Sequence, residues 1–251
     1  MIIKTDFEEL KVFCSTTEDG DISDLLCPDA KANRKHFIEN TELPVKDLYY
    51  LFVSHKDKVT RFPLTEEYKS ENDWSRCVVQ SEDDGMRIDT DAIVTDVRGA
   101  YFYLGFADCN PVLLYDRKKH VLSFGHCSWR STYLGLHVKM LEAMQKYYGC
   151  SSEDVAVMFG PTIRAESYGF DDEPKQIGDP AWKDHITFED GLYHIDLSGY
   201  IADCLKKKGV TASNITMPFA DTFKDPRFFS HYRSVKTGEA EGRFAFGAGM
   251  K

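Results

Sequence analysis

The 251-residue sequence lacks several features that would assign it to a common class of protein. It has no apolar run near the roughly 18 residues that a membrane helix needs, and its start, MIIKTDFEEL, has acidic residues where a signal peptide would be apolar. It also has no internal repeat, no low-complexity tract and no linker rich in proline, glycine or serine. We therefore expect one domain over residues 1–251 in a cytoplasmic, monomeric protein that does not bind membranes.

Cysteine spacing and charge exclude further classes. The seven cysteines are odd in number and form no CxxC pair, which argues against a disulfide framework and against a zinc ribbon. The formal net charge of −10 argues against a nucleic-acid-binding protein, because phosphate backbones would be repelled. Small anionic ligands held by individual arginines remain compatible with this charge.

The pattern of apolar residues predicts an α+β fold with mixed or antiparallel sheets flanked by helices. DAIVTDV and YFYLGFA are β-rich runs that we expect to form a hairpin turning at Arg98-Gly99. VLLYD and HVLSFGH continue the strands, and residues 56–85 stay unassigned. Other predicted elements are helices over residues 29–40, from Ser131 or Thr132 to Gly149, and from Asp196 to Gly209, with strands at 49–53 and 155–159.

The most informative stretch is FADCNPVLLYDRKKHVLSFGHCSWR, which contains one predicted hairpin. If Asp116 pairs with Lys119 across its turn, Cys109 faces His126 at the open end, with Cβ atoms about 5 Å apart. Pro111 is expected to shift this register slightly. A thiol and an imidazole at that separation can be a zinc pair, a nucleophile with its base, or a buried structural pair.

Two neighbours of this pair favour a functional site. Asp108 ends an apolar strand, where a carboxylate is costly without a partner. Arg130 follows His126 at a predicted strand-to-helix turn, where its guanidinium and the free backbone N–H groups would suit an anion.

Ordered motifs give the sequence a resemblance to a known family. Residues 107–114 (ADCNPVLL) and 126–131 (HCSWRS) are similar to the family's ADCxPVLL and HAGWRG segments, with the same 17-residue interval from cysteine to histidine. The sequence resembles the YfiH-type proteins, known as laccase-domain or multicopper polyphenol oxidases and as zinc-dependent purine nucleoside phosphorylases. Further matches are Asn33-Arg34-Lys35, residues 51–59 against QVHG, 91–95 (DAIVT), 160–163 (GPTI), 228–230 (FFS) with Arg233, and Gly242-Arg243.

The resemblance implies a YfiH-like domain with layers in the order α/β/β/α, the CNF1/YfiH-like fold. It implies phosphorolysis of adenosine, inosine and guanosine, so that a purine nucleoside and phosphate are the expected partners. Methylthioadenosine cleavage and adenosine deamination are implied as accompanying reactions.

Carried over by position, the resemblance makes three residues zinc ligands and leaves a fourth tetrahedral position for water or substrate. Asp108 would support a ligand or a loop. The implied ligands are His55, Cys109 and His126, and the implied substrate contacts are Arg130, Arg233 and Asn33.

Alternatives and departures from the pattern remain. Copper could occupy the same ligands, but a multicopper laccase needs more histidines, mostly in HxH pairs, than the eight here, none of which is in HxH. A cysteine hydrolase or deamidase would use Cys109 as nucleophile and His126 as base. Lys56, Ser128 and Ser131 replace family glycines, which predicts a narrowed pocket, and the long interval after His55 predicts a loop insertion within residues 56–85.

Overall fold

A computed structural model describes residues 1–3, 5–43, 47–63, 78–81 and 85–251. Most of the loop insertion predicted within residues 56–85 lies outside these ranges. In the described part of the chain, no helix is long and apolar enough to cross a membrane.

Strands outnumber helices, as the sequence predicts. The helices are α1 (Ala30–Thr41), α2 (Trp129–Tyr133), α3 (Leu136–Tyr148), α4 (Leu197–Lys207) and α5 (His231–Thr237), with short 3-10 turns at Thr17–Asp19, Ser152–Asp154, Ala165–Ser167 and Ala212–Asn214. The strands are β1 (Ile2–Ile3), β2 (Leu10–Cys14), β3 (Leu48–Phe52), β4 (Val59–Phe62), β5 (Val78–Ser81), β6 (Gly85–Asp89), β7 (Ala92–Thr95), β8 (Tyr101–Phe106), β9 (Asn110–Asp116), β10 (Val121–Cys127), β11 (Val155–Phe159), β12 (Gly169–Phe170), β13 (Ile186–Glu189), β14 (Leu192–Ile195), β15 (Ile215–Thr216) and β16 (Phe244–Met250).

These strands form two large mixed sheets and one small one. The seven-stranded sheet has the order β1-β2-β16-β8-β3-β6-β5, and the six-stranded sheet has the order β15-β11-β9-β10-β7-β4. Strand β3 runs parallel to β8 and β6, whereas β9 and β10 are antiparallel. The small sheet has the order β12-β14-β13.

Three apolar clusters show how the layers stack. The two large sheets face each other across a core that includes Phe102, Leu113 and Phe124. Helix α1 covers the outer face of the seven-stranded sheet, and helices α3 and α4 cover the outer face of the six-stranded sheet. The predicted α+β fold with α/β/β/α layers is therefore confirmed.

Gly125 allows α3 to lie close to the sheet next to His126. A Cβ at this glycine would stand 2.7 Å from both Ala92 Cβ and Met140 Sδ, so no larger residue fits without displacing a neighbour. Gly125 thus fixes the packing of the helix against the strand that carries His126.

Two predictions about strand pairing are wrong. The expected hairpin at Arg98-Gly99 does not form, because β7 belongs to the six-stranded sheet and β8 to the seven-stranded sheet. The β9–β10 hairpin does form, but Asp116 pairs with Val121 and not with Lys119. His126 therefore lies opposite Pro111, two residues from the predicted register, and Cys109 precedes the strand. Side chains alternate with a period of two, so this shift leaves the same residues on each face of the sheet.

The helix predicted after the hairpin is divided by Gly135, which has a φ of +81°. Ser128 caps α2 and forms a capping box with Ser131, whereas Gly149 ends α3. Leu134, which falls within the predicted helix, lies outside α3 and is exposed. The helix that Asp196 opens is confirmed, with the Asp196 carboxylate accepting the Gly199 N–H at 2.8 Å.

Candidate active site

The topology brings three sequence-predicted residues to one edge of the two sheets. Strands β3 and β8 are parallel neighbours, so the loops that follow them, with His55 and Cys109, leave at the same edge. Each loop then crosses to the six-stranded sheet. His126 lies near the end of β10, beside the start of β9, which follows Cys109 directly.

The two histidine rings face each other at this edge. Their centroids are 5.0 Å apart with an interplanar angle of 71°, and the buried His126 ring stacks on Phe106 at 4.9 Å. Among the described residues, none provides a hydrogen-bond partner for His126 Nδ1. Burial, then the nearby His55 and Arg243, lowers the pKa of His126 to about 3, so the ring is neutral.

Buried Asp91 holds both histidines in place. Its carboxylate accepts hydrogen bonds from Ser54 N (2.8 Å), Ser54 Oγ (3.0 Å) and Lys58 N (3.3 Å), which fixes the turn around His55. Its carbonyl accepts the backbone N–H of His126 at 2.9 Å. His55 has a left-handed φ of +54°, a conformation that costs a non-glycine residue energy and persists only when its surroundings impose it.

Asp108 holds the loop that carries Cys109 in the same way. It also has a left-handed φ, +78°. Its carboxylate accepts hydrogen bonds from Thr222 Oγ and from the backbone N–H of Tyr232, both at 2.6 Å, and its carbonyl accepts the Ile163 N–H at 3.1 Å. The buried carboxylate is thus partnered and ties Cys109 to two distant segments.

Cys109 stands between two cavities. One, about 410 Å³, is walled by the aromatic rings of Trp129, Tyr168, Phe170 and Tyr232. The other, about 320 Å³, is lined by His55, His126 and Arg243 among others. Ala107, Cys109 and His231 line both. A ligand seated at Cys109 could therefore reach into an aromatic compartment on one side and into a compartment with two histidines and Arg243 on the other.

The Cys109 thiol is held in its neutral form by its surroundings. Loss of hydration raises its pKa to about 12, and the neighbouring Asp108 adds to this, whereas Arg243 acts in the opposite direction. A thiolate would need a cation or a metal ion beside it.

The donor set suits zinc, although the side chains are not gathered around a common point. Two imidazoles and a thiol are the ligands that zinc prefers, and the buried His126 Nδ1 lacks a partner in the described ranges. No group of three or more His, Cys, Asp or Glu side chains in those ranges is arranged to hold a metal ion. The chemistry of the three donors, but not their present arrangement, fits the predicted metal.

The predicted substrate contacts do not line the two cavities at Cys109, although the charge of Arg130 helps to lower the pKa of His55. Neither Arg130, which is exposed on α2, nor Asn33, which donates to the Asp21 carbonyl at 2.8 Å, is among the residues that line the two cavities. The Arg233 guanidinium donates to the carbonyls of Thr222, Phe223 and Phe228 and pairs with Glu239. Ser128 and Ser131 bond to each other and do not line either cavity, so they do not narrow them.

Sequence reasoning missed Arg243 and His231 as residues of the site. Arg243 faces the candidate ligands and affects the pKa of all three, yet it was noted only as part of the Gly242-Arg243 match. No motif assigns a role to His231, which lies between the FFS match and Arg233. FFS, which directly precedes His231, and Gly242-Arg243 both match family motifs. These two matches are the sequence signal that could have identified the residues.

Comparisons with known proteins agree with the motifs. The model of the family described as multi-copper polyphenol oxidoreductase laccase matches residues 27–251. The purine nucleoside phosphorylase LACC1 of Mus musculus is 27% identical over 152 residues, which cover 57% of this chain and 35% of that protein. A purine nucleoside phosphorylase of Clostridium acetobutylicum is 26% identical over 205 residues, which cover 80% of this chain and 77% of that protein.

Solved structures share the fold. The Bacillus licheniformis hypothetical protein YfiH superposes with a TM-score of 0.79 at 21% identity, covering 98% of this chain and 94% of its own. YlmD from Geobacillus stearothermophilus gives a TM-score of 0.77 at 20% identity, covering 98% and 93%. Because the family model spans nearly the whole chain, this protein belongs to the multi-copper polyphenol oxidoreductase laccase family.

Proposed function

We propose that this protein is a zinc-dependent purine nucleoside phosphorylase that converts adenosine, inosine or guanosine, with phosphate, into the free base and ribose 1-phosphate. The observation that carries the proposal is the junction at Cys109, where an aromatic cavity meets a cavity lined by two histidines and an arginine. The names of the mouse and clostridial relatives support the same activity.

The aromatic cavity suits the purine base. Trp129, Tyr168 and Phe170 contact one another edge to face, with ring centroids 4.6 to 5.9 Å apart, and form an apolar wall. A flat, apolar base buried against such rings gains both hydrophobic and aromatic contact energy.

The second cavity suits phosphate and the metal. Arg243 supplies a guanidinium, which pairs well with phosphate oxygens. Zinc would be held by His55, Cys109 and His126, where it would act as a Lewis acid and neutralise the charge of the phosphate. Asp91 and Asp108 would keep the ligand loops in position. Copper remains an alternative metal for the same donors.

Adenosine deamination and methylthioadenosine cleavage extend this proposal. Both substrates present an adenine ring that the aromatic cavity would accept. Formation of inosine from adenosine without phosphate would measure the first, and release of adenine from methylthioadenosine with phosphate would measure the second.

A cysteine hydrolase at the same residues is less well supported. Nucleophilic cysteines have a lowered pKa, whereas burial and Asp108 raise the pKa of Cys109 to about 12. Zinc ligation removes this difficulty, because a bound metal deprotonates a coordinating thiol.

The test is release of hypoxanthine from inosine, measured with and without phosphate and before and after removal of metal by a chelator. We expect turnover that requires phosphate, falls on chelation and returns with zinc. Cys109→Ala should abolish it, whereas the matched control Cys27→Ala, at a cysteine outside both cavities, should not. Activity that survives chelation but not thiol alkylation would contradict the zinc proposal and favour the cysteine nucleophile.

A further inference from the structure

His231 lies where the two cavities meet. It lines both of them, together with Ala107 and Cys109. As the first residue of α5 it follows the cap Ser230, whose hydroxyl accepts the Arg233 N–H at 3.0 Å. Its side chain is 56% exposed and so is accessible to a bound ligand.

A carboxylate orients the His231 ring. His231 Nδ1 lies 2.8 Å from Glu241 Oε1, and the same oxygen accepts a hydrogen bond from Arg243 Nη2 at 2.8 Å. The hydrogen bond from Arg243 is the main cause that lowers the pKa of Glu241, and His231 contributes to it. An ionised Glu241 keeps the proton on His231 Nδ1, so Nε2 is the atom that can give or take a proton.

Phosphorolysis of a purine nucleoside needs a proton donor for the departing base. When the bond between ribose C1′ and purine N9 breaks, its electron pair moves into the purine ring, and protonation at N7 stabilises the departing base. With the base in the aromatic cavity and phosphate beside Arg243, this bond would lie at the junction that His231 lines.

Three other groups that line the aromatic cavity beside Cys109 are less suited to this task. The Tyr232 hydroxyl donates to the Gly169 carbonyl. Burial raises the pKa of Tyr168, which makes it a poorer proton donor. The Asp108 carboxylate already accepts hydrogen bonds from Thr222 and from the Tyr232 backbone.

We propose that His231, oriented by Glu241, donates the proton that the purine base takes up as it leaves. The inference rests on the proposed phosphorylase function. The proton passes from His231 Nε2 to purine N7 while the C1′–N9 bond breaks and a phosphate oxygen bonds to C1′. Monohydrogen phosphate loses its proton in the product, ribose 1-phosphate, and that proton restores the imidazolium.

The test compares inosine with 7-methylinosine, each with phosphate, in wild type and His231→Gln. 7-Methylinosine carries a positive ring and releases a neutral base without taking up a proton. We expect His231→Gln to lower kcat for inosine by about 10²- to 10³-fold, while 7-methylinosine changes by no more than about threefold. His36→Gln, at an exposed histidine of α1, is the matched control and should change neither.

Glu241→Gln provides a second variant and should reduce turnover of inosine by a smaller factor, again sparing 7-methylinosine. Equal losses on both substrates, or no loss with inosine, would overturn the role of His231 and leave the phosphorylase proposal intact. If the wild-type protein with zinc cleaves neither nucleoside, the phosphorylase proposal fails, and the role of His231 fails with it.

Discussion

His126 on β10 and His137 on α3 are alike in several respects. Both are almost fully buried, with 3% and 1% of their surfaces exposed. Burial is the first cause that lowers the pKa of each, to about 3 and about 4. Both also carry ring nitrogens without a hydrogen-bond partner in the described ranges.

Their surroundings differ. His126 faces His55 and lines a cavity with Cys109 and Arg243. The His137 ring instead packs against Tyr200, with centroids 5.9 Å apart, and His137 is not among the residues lining either cavity at Cys109. Burial and a lowered pKa therefore do not mark a site by themselves. A buried histidine indicates a site when other donor side chains meet it at a cavity.

The largest expected effect comes from His126→Leu. Removing this proposed zinc ligand should lower inosine phosphorolysis by roughly 10³-fold or more and abolish zinc binding. Stability without metal should be unchanged or higher, because leucine removes a buried nitrogen that has no partner. Steady-state kinetics, metal content and urea unfolding measure the three quantities. A variant that keeps its zinc would show that His126 is not a ligand.

The next effect is the pH dependence that His137 imposes on stability. Above pH 6.5 the ring is neutral in both the folded and the unfolded chain, so protonation of His137 does not lower the free energy of unfolding. Between pH 6.5 and about 4 the unfolded chain binds a proton that the folded protein cannot. Stability should therefore fall with pH by up to roughly 3 kcal/mol over this window.

Comparing wild type with His137→Leu isolates this contribution. The variant should be more stable at pH 7 by about 1 to 3 kcal/mol, and its advantage should grow as the pH falls to 4.5. Its turnover at pH 7 should equal that of wild type. An advantage that stays constant with pH would show that His137 is not the titrating group, and a large loss of activity would place it in the site.

The smallest expected effect distinguishes Arg243, which lines a cavity, from Arg130, which does not. Arg243→Gln should raise KM for phosphate by about tenfold, the loss expected for one charged contact. Arg130→Gln should have little effect, because Arg130 is exposed outside both cavities. The opposite ranking would restore Arg130 as the phosphate contact that the sequence predicts.

Local sequence signals predicted single elements well and long-range pairing poorly. The β9–β10 hairpin was predicted, but its register was not, since a longer turn ends at His120, which has a left-handed φ of +52°. Strands β7 and β8 are adjacent in sequence, yet they lie in different sheets because both of their faces are apolar and fit a buried layer in either sheet.

Only those residues of the candidate site that lie in a recognisable motif could be predicted from the sequence. Cys109 and His126 lie in one continuous stretch, and His55 was placed by the resemblance. Arg243 and His231 reach the site through contacts between the C-terminal segment and loops more than a hundred residues away, such as the bond from Tyr232 N to Asp108. No local spacing encodes such contacts.

The most direct test of the account is the zinc content of the purified protein and of three single variants, His55→Ala, Cys109→Ala and His126→Ala, with His137→Leu as the control. We expect about one zinc per chain in wild type and in His137→Leu, and a large loss in each of the other three. Full zinc occupancy in any of the three alanine variants, or none in wild type grown and assayed with zinc, would contradict the assignment of a zinc centre to this edge of the sheets.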